Sequence, residues 1–245
     1  MYHFFAPSEN ADNGVITITG SDVNHIINVL RLKKGERIVV ADGQDRDSLC
    51  EIAEMGPGFV RCQVLPETLA ETECPVRLHL FQGLPKGDKM ETIIQKAVEL
   101  GVSSVVPVEM KRCVMKLDEK KKTSRTERWQ RIAESAAKQS GRRIIPAVER
   151  PLTFKAAVEK AAGMGTILVP YENAENIAET RKLLASVPKG SDCAIFIGPE
   201  GGFDPAEIEA LAAAGAHVIT LGPRILRTET AGMAVLAMCT LMMEE

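Results

Sequence analysis

The chain has 245 residues, a length that allows one or two domains because domains usually contain roughly 100–200 residues. Hydrophobic residues make up 45% and charged residues 26%, which is ordinary for a soluble globular protein and excludes collagen, coiled coil and global disorder. The formal net charge is −3 and only 4% of the residues are aromatic, so the composition indicates neither a strongly basic nucleic-acid binder nor an aromatic platform for single-stranded RNA.

Six cysteines and four histidines are spread along the chain without CxxC spacing or a zinc-type Cys/His cluster. We therefore expect reduced thiols and no metal site. The N-terminus lacks the basic and apolar regions of a signal peptide. The longest mostly apolar run, residues 231–243, has 13 residues, whereas a membrane span needs about 20. These features predict a cytoplasmic protein with no membrane partner, in which this run is a core helix.

Residues 1–72 are predicted to form short strands interrupted by one helix. Strands are expected at residues 14–19, 36–41 and 58–65. Residues 21–30 have apolar residues at helical spacing, and Ser21 is a candidate N-cap. Short strands with glycine-rich turns and a single helix predict a small β-barrel.

After residue 72 the pattern changes to alternating strands and helices, which predicts a parallel sheet with helices on both faces. We place a domain boundary there. Strands are expected at residues 76–82, 102–108, 166–169, 193–197 and 217–221, and helices at 88–100, 123–140, 175–187, 205–214 and 228–243. Asp88 with Glu91 is a candidate capping box, and Asp204 before Pro205 marks another helix start.

Ligands of open parallel sheets bind beyond the carboxyl ends of the strands, and three predicted strand ends carry unusual loops. They cover residues 168–173, 197–203 and 221–231. The second, IGPEGGF, has neither the Walker A pattern nor the dinucleotide fingerprint, and an ordinary strand-to-helix turn explains it equally well. The third contains Arg224, Arg227 and Glu229, which could bind an anion and assist proton removal or could simply hold the start of a helix.

Residues 111–143 contain 12 Lys and Arg against 4 Asp and Glu, a local net charge of +8 in a chain that otherwise carries −11. We expect that these cations cannot all be paired locally. A solvated helix face is the ordinary explanation of a charge run, but such a concentration inside an acidic chain favours a phosphate backbone as its partner.

The motifs at residues 196–203 (FIGPEGGF) and 221–231 (LGPRILRTETA) closely resemble those of the bacterial 16S ribosomal RNA uridine-N3 methyltransferases. These enzymes belong to the SPOUT, or trefoil-knotted, superfamily. Residues 24–31, 86–91 and 95–101 also resemble the family, so that the resemblance covers nearly the whole chain in order.

The resemblance implies an α/β protein with two domains. Residues 1–72 would form a PUA-like β-barrel that binds RNA, and residues 73–245 a knotted, parallel-sheet SPOUT methyltransferase domain. The knot would be an exception to the rule that chains do not thread loops. The family acts as a homodimer with the site near the interface, so a homodimer is expected here.

The resemblance further implies S-adenosylmethionine as methyl donor and N3 of a specific uridine in the 16S ribosomal RNA of the small subunit as target, without a metal. The residues that would hold the donor are Val169, Pro170, Ile197, Gly198, Gly202, Leu221, Gly222, Ile225 and Leu226. The residues that would contact RNA are Arg31, Lys86, Lys89, Arg112, Arg142 and Arg143.

A uracil N3–H is a poor nucleophile until its proton leaves, so an enzyme must hold N3 in line with the methyl group and stabilise the charge that develops on the uracil oxygens. We assign this charge stabilisation to Arg227, and orientation of substrate or phosphate to Arg224. Glu229 is the candidate base or orienting partner of the arginines, and Glu200 is the second choice as base. A base within a helical RNA segment would have to leave its stack.

Two alternatives remain at this point. One is a non-catalytic RNA-binding or ribosome assembly factor that kept a methyltransferase fold, although the donor motifs are intact. The other is a 2′-O-ribose methyltransferase of the same superfamily, although the Asn-Pro-x-Asn type of motif typical of those enzymes is absent.

Overall fold

The computed structural model describes residues 1–172 and 176–243. The chain forms two units, and the pattern changes near residue 73 from short strands to strands separated by helices. The first unit comprises Met1–Glu73 and Ala137–Ile145, and the second comprises Cys74–Ala136 and Pro146–Glu245. The first unit thus takes in residues 137–145, which the sequence-based boundary leaves in the second domain.

The first unit is built on one six-stranded sheet. Its strands are β1 (His3–Phe5), β2 (Ala11–Asp12), β3 (Val15–Thr19), β4 (Arg37–Ala41), β5 (Asp47–Gly56) and β6 (Phe59–Val64), in the order β1-β4-β5-β6-β3-β2. Neighbouring strands are antiparallel except for β1 and β4, which are parallel. A short helix, α1 (Ser21–Asn24), continues into a wider π-helical turn at His25–Val29.

Alternating residues of these strands form one apolar core, as expected for a sheet with one buried face. Ile18, Ile38, Ile52 and Val60 are fully buried and come from four different strands, and Ile26 joins them from the π-helical turn. The helix begins at Ser21. The residue before it, Gly20, has no side chain that could cap the helix. The prediction that Ser21 caps this helix is therefore wrong, because Ser21 is the first residue inside it.

The second unit alternates strands and helices. Its strands are β7 (Arg77–Gly83), β8 (Ser104–Glu109), β9 (Ala147–Val148), β10 (Leu152–Thr153), β11 (Thr166–Pro170), β12 (Asp192–Ile197) and β13 (His217–Ile219). Its helices are α2 (Lys89–Glu99), α3 (Glu119–Ser140, ending in the first unit), α4 (Phe154–Ala161), α5 (Ile177–Ala185), α6 (Pro205–Ala213) and α7 (Thr228–Met243).

All strand pairs of the second unit are parallel, in the order β10-β8-β7-β12-β11-β13 with β9 also beside β8. The central strands are buried along nearly their whole length, which explains their unbroken apolar sequences. The predicted parallel α/β sheet is therefore confirmed. Its topology brings the carboxyl ends of β7, β11, β12 and β13 to one edge, where ligands of such sheets bind.

A polar network fixes the opposite edge of this sheet. Arg77 on β7 donates two hydrogen bonds to Asp192 on β12, at 2.8 and 2.7 Å. His79 Nε2 lies 2.8 Å from the same carboxylate, and His79 Nδ1 lies 2.8 Å from Ser104 Oγ on β8. The hydrogen bonds from Arg77, and then that from His79, hold the pKa of Asp192 far below its ordinary value.

Some helices begin where the capping residues of the sequence predict, because the capping side chains bond to the first N–H groups of the helix. Asp204 caps α6 in a complete capping box with Glu207, with Pro205 in the first turn, as the Asp-Pro pair predicts. Asn176 caps α5 through the N–H groups of Ala178 and Glu179; the predicted start of that helix at residue 175 lies outside the described residues. At α2 the predicted capping box is wrong, because the Asp88 side chain makes no cap bond and Glu91 pairs with Arg128.

Several elements were not predicted from the sequence, namely strands β1, β2, β5, β9 and β10 and helix α4. Strand β5 carries acidic residues, and a bulge between Ile52 and Glu54 interrupts its alternation of buried and exposed positions. Helix α4 has only eight residues, with Thr153 as its N-cap. Within residues 1–172 and 176–243, no helix combines the length and apolar character needed to cross a membrane. The trefoil knot stays a prediction.

Candidate functional site

A cavity of about 620 Å³ opens at the carboxyl edge of the second unit's sheet. Its wall comes from the end of β11 (170–172), the loop after β12 (197–203) and the segment between β13 and α7 (220–228), together with Lys89 and Arg112. The volume is in the range usual for small-molecule sites, roughly 300–1,000 Å³. Three loops that are far apart in sequence therefore meet around one ligand-sized space.

The loop after β12 depends on two close backbone approaches. A Cβ atom on Gly198 would lie 3.1 Å from the carbonyl carbon of Gly202, and one on Gly83 would lie 2.8 Å from the nitrogen of Pro199. Gly202 N–H donates to the Pro199 carbonyl at 2.8 Å, with Gly202 at a φ of +67°. Glycines allow this tight turn and leave backbone groups facing the cavity.

A buried carboxylate holds the far end of the same loop. Glu207 on α6 accepts hydrogen bonds from the backbone N–H groups of Asp204 and Lys111, both at 2.8 Å. The Arg112 guanidinium donates to the carbonyl of Gly201 at 2.9 Å. The loop is thus fixed from α6 and from the segment after β8, which favours a preformed site.

Two arginines of the segment before α7 face the cavity with their guanidinium groups uncommitted. Arg224 and Arg227 are exposed and line the cavity. Neither makes an ion pair or a side-chain hydrogen bond with the part of the chain that is described. Ile225, between them, is 84% exposed. This arrangement suits a ligand that brings its own negative charge or carbonyl oxygens.

A third cation at the cavity is paired twice. Lys89 Nζ, on the first residue of α2, lies 3.0 Å from Glu200 Oε1 and 3.3 Å from Glu229 Oε2. The hydrogen bond that Lys89 donates to Glu200, aided by the one to Glu229, raises the pKa of Lys89. Burial opposes ionisation of Glu200, but its hydrogen bonds with its own N–H, Lys89 and the Lys86 N–H leave its pKa below the ordinary value. The result is a carboxylate–ammonium–carboxylate cluster beside the cavity.

No group of three or more His, Cys, Asp or Glu side chains within the described ranges has the arrangement of a metal site. The groups in and beside this cavity are guanidinium groups, an ion-paired ammonium, two carboxylates and backbone amides.

Known protein families match both units. Residues 72–240 match the RNA methyltransferase domain, and residues 18–65 match the RNA methyltransferase PUA domain. Ribosomal RNA small subunit methyltransferase E of Bacillus subtilis is 38% identical over 224 residues, covering 90% of this chain and 88% of that protein. The enzyme of the same name from Mycobacterium tuberculosis is 33% identical, covering 92% and 86%.

The chain belongs to the ribosomal RNA small subunit methyltransferase E family.

Solved structures agree with this membership. The Neisseria gonorrhoeae ribosomal RNA small subunit methyltransferase E bound to S-adenosylmethionine has a TM-score of 0.81 and 32% identity, covering 97% of this chain and 96% of that one. A Legionella pneumophila protein in complex with the same cofactor has a TM-score of 0.82 and 28% identity, covering 98% and 97%. The predicted family, the methyltransferase class and the PUA-like first domain are confirmed.

Most residues predicted for the donor in this methyltransferase line the cavity. Those that do are Pro170, Ile197, Gly198, Gly202, Leu221, Gly222, Ile225 and Leu226. Val169 is buried in β11 and is not part of the wall. Glu229 is behind the wall, in contact with Lys89. Asn173, the last residue of the first predicted loop, lies outside the described residues. Donor contact by each of these side chains stays a prediction.

The residues predicted to contact RNA differ widely in exposure. Arg31, Lys86 and Arg112 are exposed, whereas Lys89 is engaged in the carboxylate cluster. Arg142 is only 4% exposed, and its guanidinium is bound by the Glu73 carboxylate. The assignment of Arg142 to RNA therefore needs correction, because a buried, paired guanidinium does not reach a phosphate. Arg143 is mostly buried and pairs with Glu71 and Asp45.

Many cations of the basic stretch 111–143 form ion pairs, mainly with carboxylates from other segments, which agrees with the expectation that they cannot all be paired locally. At least eight of its twelve cations pair with carboxylates: Lys111, Lys121, Lys122, Arg125, Arg128, Lys138, Arg142 and Arg143. Their partners include Asp204, Glu109, Asp88 and Glu91, which belong to other segments. Sequence counting misses these pairs because the acids come from elsewhere in the chain.

Several residues of the site escaped the sequence analysis. Gly83, at the end of β7, approaches Pro199, and Glu207 fixes the loop after β12. Tyr171, Phe203 and Thr228 lie in the predicted ligand loops but were given no role, and they also line the cavity. A glycine at the end of an apolar strand is the signal that could have identified Gly83; the others depend on contacts between distant segments.

We predict that Gly83→Ala destabilises the protein. The added Cβ would lie 2.8 Å from Pro199 Cδ and N and 2.9 Å from Met110 Sδ, so the backbone of the loop must shift. Overpacking of this kind lowers the free energy of unfolding by roughly 1–3 kcal/mol. Denaturant unfolding measures the effect. Gly163→Ala is the control, because its Cβ would meet nothing closer than 3.7 Å; equal stability of the two variants would contradict the tight approach.

Proposed function

We propose that this methyltransferase transfers a methyl group from S-adenosylmethionine to N3 of a specific uridine in the 16S ribosomal RNA of the small subunit. The observation that carries the proposal is the glycine-lined cavity of about 620 Å³ with two uncommitted arginines at its wall. The Neisseria and Legionella structures, which hold S-adenosylmethionine, support the choice of donor. The names of the relatives support ribosomal RNA of the small subunit as target.

The cavity fits a nucleoside-type donor by its size and backbone. Ile197, Gly198, Leu221, Gly222 and Leu226 would hold the adenosine and methionine parts through backbone groups, with Pro170 on one side. A Cβ atom at position 198 would press on the backbone at Gly202. The absence of a side chain at Gly198 therefore leaves room for the loop to curve around the ligand. When bound, S-adenosylmethionine supplies a sulfonium methyl group that a nitrogen anion can attack.

The arginines and the carboxylate cluster would prepare the uracil. Loss of the N3 proton places negative charge on the ring oxygens, and Arg227 would stabilise this charge by charge-assisted hydrogen bonds. Arg224 would orient the substrate or a neighbouring phosphate. Glu229, one helical residue past Thr228 and held 3.3 Å from Lys89, would accept the proton. Lys89 thereby acts inside the site rather than on the RNA backbone.

RNA contacts would come from exposed cations in both units. Lys86 and Arg112 stand close to the cavity loops, since their backbone or side chain bonds to Glu200 and Gly201. Arg31 is exposed in the first unit, with a left-handed backbone at φ +55°. In this proposal residues 1–72 form the RNA-binding domain, residues 73–245 the catalytic domain, and the protein acts in the cytoplasm, where its ribosomal target is found.

The outer face of α7 favours a homodimer. From Ala231 onward the helix is apolar except for Thr240. Its inner residues Val235, Leu236 and Cys239 are fully buried, yet Leu241 is 68% exposed. The other outward positions are Met233, Ala234, Ala237, Met238 and Met242. An exposed apolar helix face of this kind marks an association surface, and an identical helix from a second copy is its natural partner.

The methylation assay tests the proposal directly. Small subunits whose RNA lacks the modification are incubated with the protein and isotopically labelled S-adenosylmethionine, and the digested RNA is analysed by mass spectrometry. We expect labelled N3-methyluridine at one position. Label on a ribose hydroxyl would instead indicate a 2′-O-methyltransferase, and donor binding without any transfer would indicate a non-catalytic RNA-binding factor; either outcome refutes the proposal.

Arg227→Ala and Glu229→Gln test the catalytic assignments. At saturating donor, we expect the single-turnover rate constant to fall by roughly 100-fold or more in each variant, as is typical when a charge-stabilising group or a general base is removed. Arg181→Ala, which removes an exposed arginine of α5 outside the cavity, should retain the wild-type rate. Near wild-type rates in both test variants would remove these assignments.

Leu241→Asp tests the homodimer. A carboxylate on the exposed apolar face of α7 would have to be buried unpaired in the interface, which is strongly unfavourable, so the variant should become monomeric in light scattering at concentrations where the wild type is dimeric. Lys155→Asp, on an exposed position of α4, should leave the mass unchanged. A wild-type monomer, or a dimeric Leu241→Asp protein, would exclude this face.

A further inference from the structure

Three polar groups from distant segments, Gln82, Thr228 and the Gly198 carbonyl, form a mostly buried hydrogen-bond relay at the cavity wall. Thr228 Oγ1 donates a hydrogen bond to the carbonyl of Gly198 at 2.6 Å. Gln82 Nε2 donates to Thr228 Oγ1 at 2.9 Å and to the carbonyl of Gly83 at 3.0 Å. Gln82 is fully buried and Thr228 is 6% exposed. The relay joins the end of β7, the loop after β12 and the first residue of α7.

The hydrogen bonds fix the direction of this relay. A carbonyl oxygen can only accept, so the threonine hydroxyl must donate to Gly198 and must therefore accept from Gln82. Both donor contacts of Gln82 are then made by its NH₂ group. Its Oε1 atom is buried without a hydrogen-bond partner in the part of the chain that is described. A buried amide with an unsatisfied oxygen is costly, which indicates that the NH₂ group serves a specific purpose here.

The Gly198 carbonyl is a decisive point of attachment. The peptide that follows Gly198 has no N–H, because residue 199 is proline. Its carbonyl is therefore the one polar group through which that peptide can be held. Thr228 holds it on one side, while the backbone at Gly202 and Phe203 lies too close on another side to admit even a Cβ atom without adjustment.

We propose that Thr228, supported by Gln82, is a positioning residue that sets the distance between the donor loop and Arg227. This inference rests on the proposed function. Thr228 is flanked in sequence by Arg227 and Glu229, so a single hydroxyl locks both predicted catalytic side chains to the peptide at Gly198. Misplacement of reacting groups by about 1 Å can reduce a rate roughly 100-fold. The threonine hydroxyl therefore controls the rate of transfer as well as the binding of the donor.

A pair of substitutions at one position tests this role. Thr228→Val keeps the shape of the side chain and removes the hydroxyl, whereas Thr228→Ser keeps the hydroxyl. For Thr228→Val we expect calorimetric donor affinity to fall by about 10-fold, because the Gly198 carbonyl and the Gln82 NH₂ lose their partner. We also expect the single-turnover rate constant at saturating donor to fall by roughly 100-fold. Thr228→Ser should stay within about 3-fold of wild type in both, since its hydroxyl preserves both bonds.

A matched control separates positioning from a general loss of stability. Thr240 is also on α7, but its hydroxyl bonds to the helix carbonyls of Leu236 and Ala237 at 3.0 and 3.2 Å. Thr240→Val should therefore leave the rate constant unchanged even where it alters the thermal midpoint. Gln82→Met, which removes the donor to Thr228 but leaves the bond to Gly198, should give a rate between those of wild type and Thr228→Val.

The outcomes distinguish this inference from the proposed function. If the Val and Ser variants of Thr228 transfer methyl groups and bind donor equally well, the positioning role is excluded. If Thr228→Val loses thermal stability but keeps the wild-type rate constant in its folded, donor-loaded form, the hydroxyl is only structural and the inference is also excluded. If the wild type binds donor but does not methylate RNA, the proposed function fails, and the donor affinities of the two variants still decide whether the relay shapes the loop.

Discussion

The parallel pairing of β12 with β7 is the interaction on which the rest of the site depends. Its register places Asp192 opposite Arg77 at one end and Ile197 opposite Gln82 at the other. At the first end the pair is closed by a bidentate ion pair and by His79. Because side chains alternate along a strand, a slip of one residue would separate these polar groups and turn Gln82 away from α7. One edge of the sheet thus fixes the geometry of the other.

Given that register, the cavity is assembled from backbone approaches and buried polar contacts. Gly83 lets Pro199 pass at close range, Glu207 binds the other end of the loop, and Thr228 attaches the start of α7. The approach of Gly83 to Pro199, the bond from Lys111 N–H to Glu207 and the bond from Thr228 to Gly198 each join segments that are far apart in sequence. Each of them involves a residue that is mostly or fully buried. The loops around the cavity are therefore constrained from several sides, which is the condition for a preformed ligand site.

The sequence predicts features that depend on neighbouring residues better than features that depend on contacts between distant residues. The start of α6 could be predicted because its signals, Asp204 and Pro205, lie within one helical turn. The loop at 197–203 could be identified from its glycine-rich composition. Arg142 is buried because Glu73, distant in sequence, binds it, and no local pattern reveals this. The same holds for Gln82 and Thr228, which are 146 residues apart. Local capping also failed at Asp88, where no cap bond forms and an ion pair with Arg125 is found instead.

The distribution of ion pairs changes the meaning of the basic stretch. In the sequence this stretch has a strong excess of positive charge. In the structure most of its cations form ion pairs with carboxylates of other helices and loops. Exposed pairs of this kind contribute little stability each, but they remove charge from the surface potential that an RNA would meet. Arg224 and Arg227 differ because neither forms an ion pair with a described carboxylate. Glu200 and Glu229 pair with Lys89 instead. Lys89 pairs with both of those carboxylates and offsets part of their negative charge, while the two arginines keep their guanidinium groups unpaired with any described carboxylate. In the proposed function, Lys89 would thus influence how the cavity receives its substrate without having to touch it.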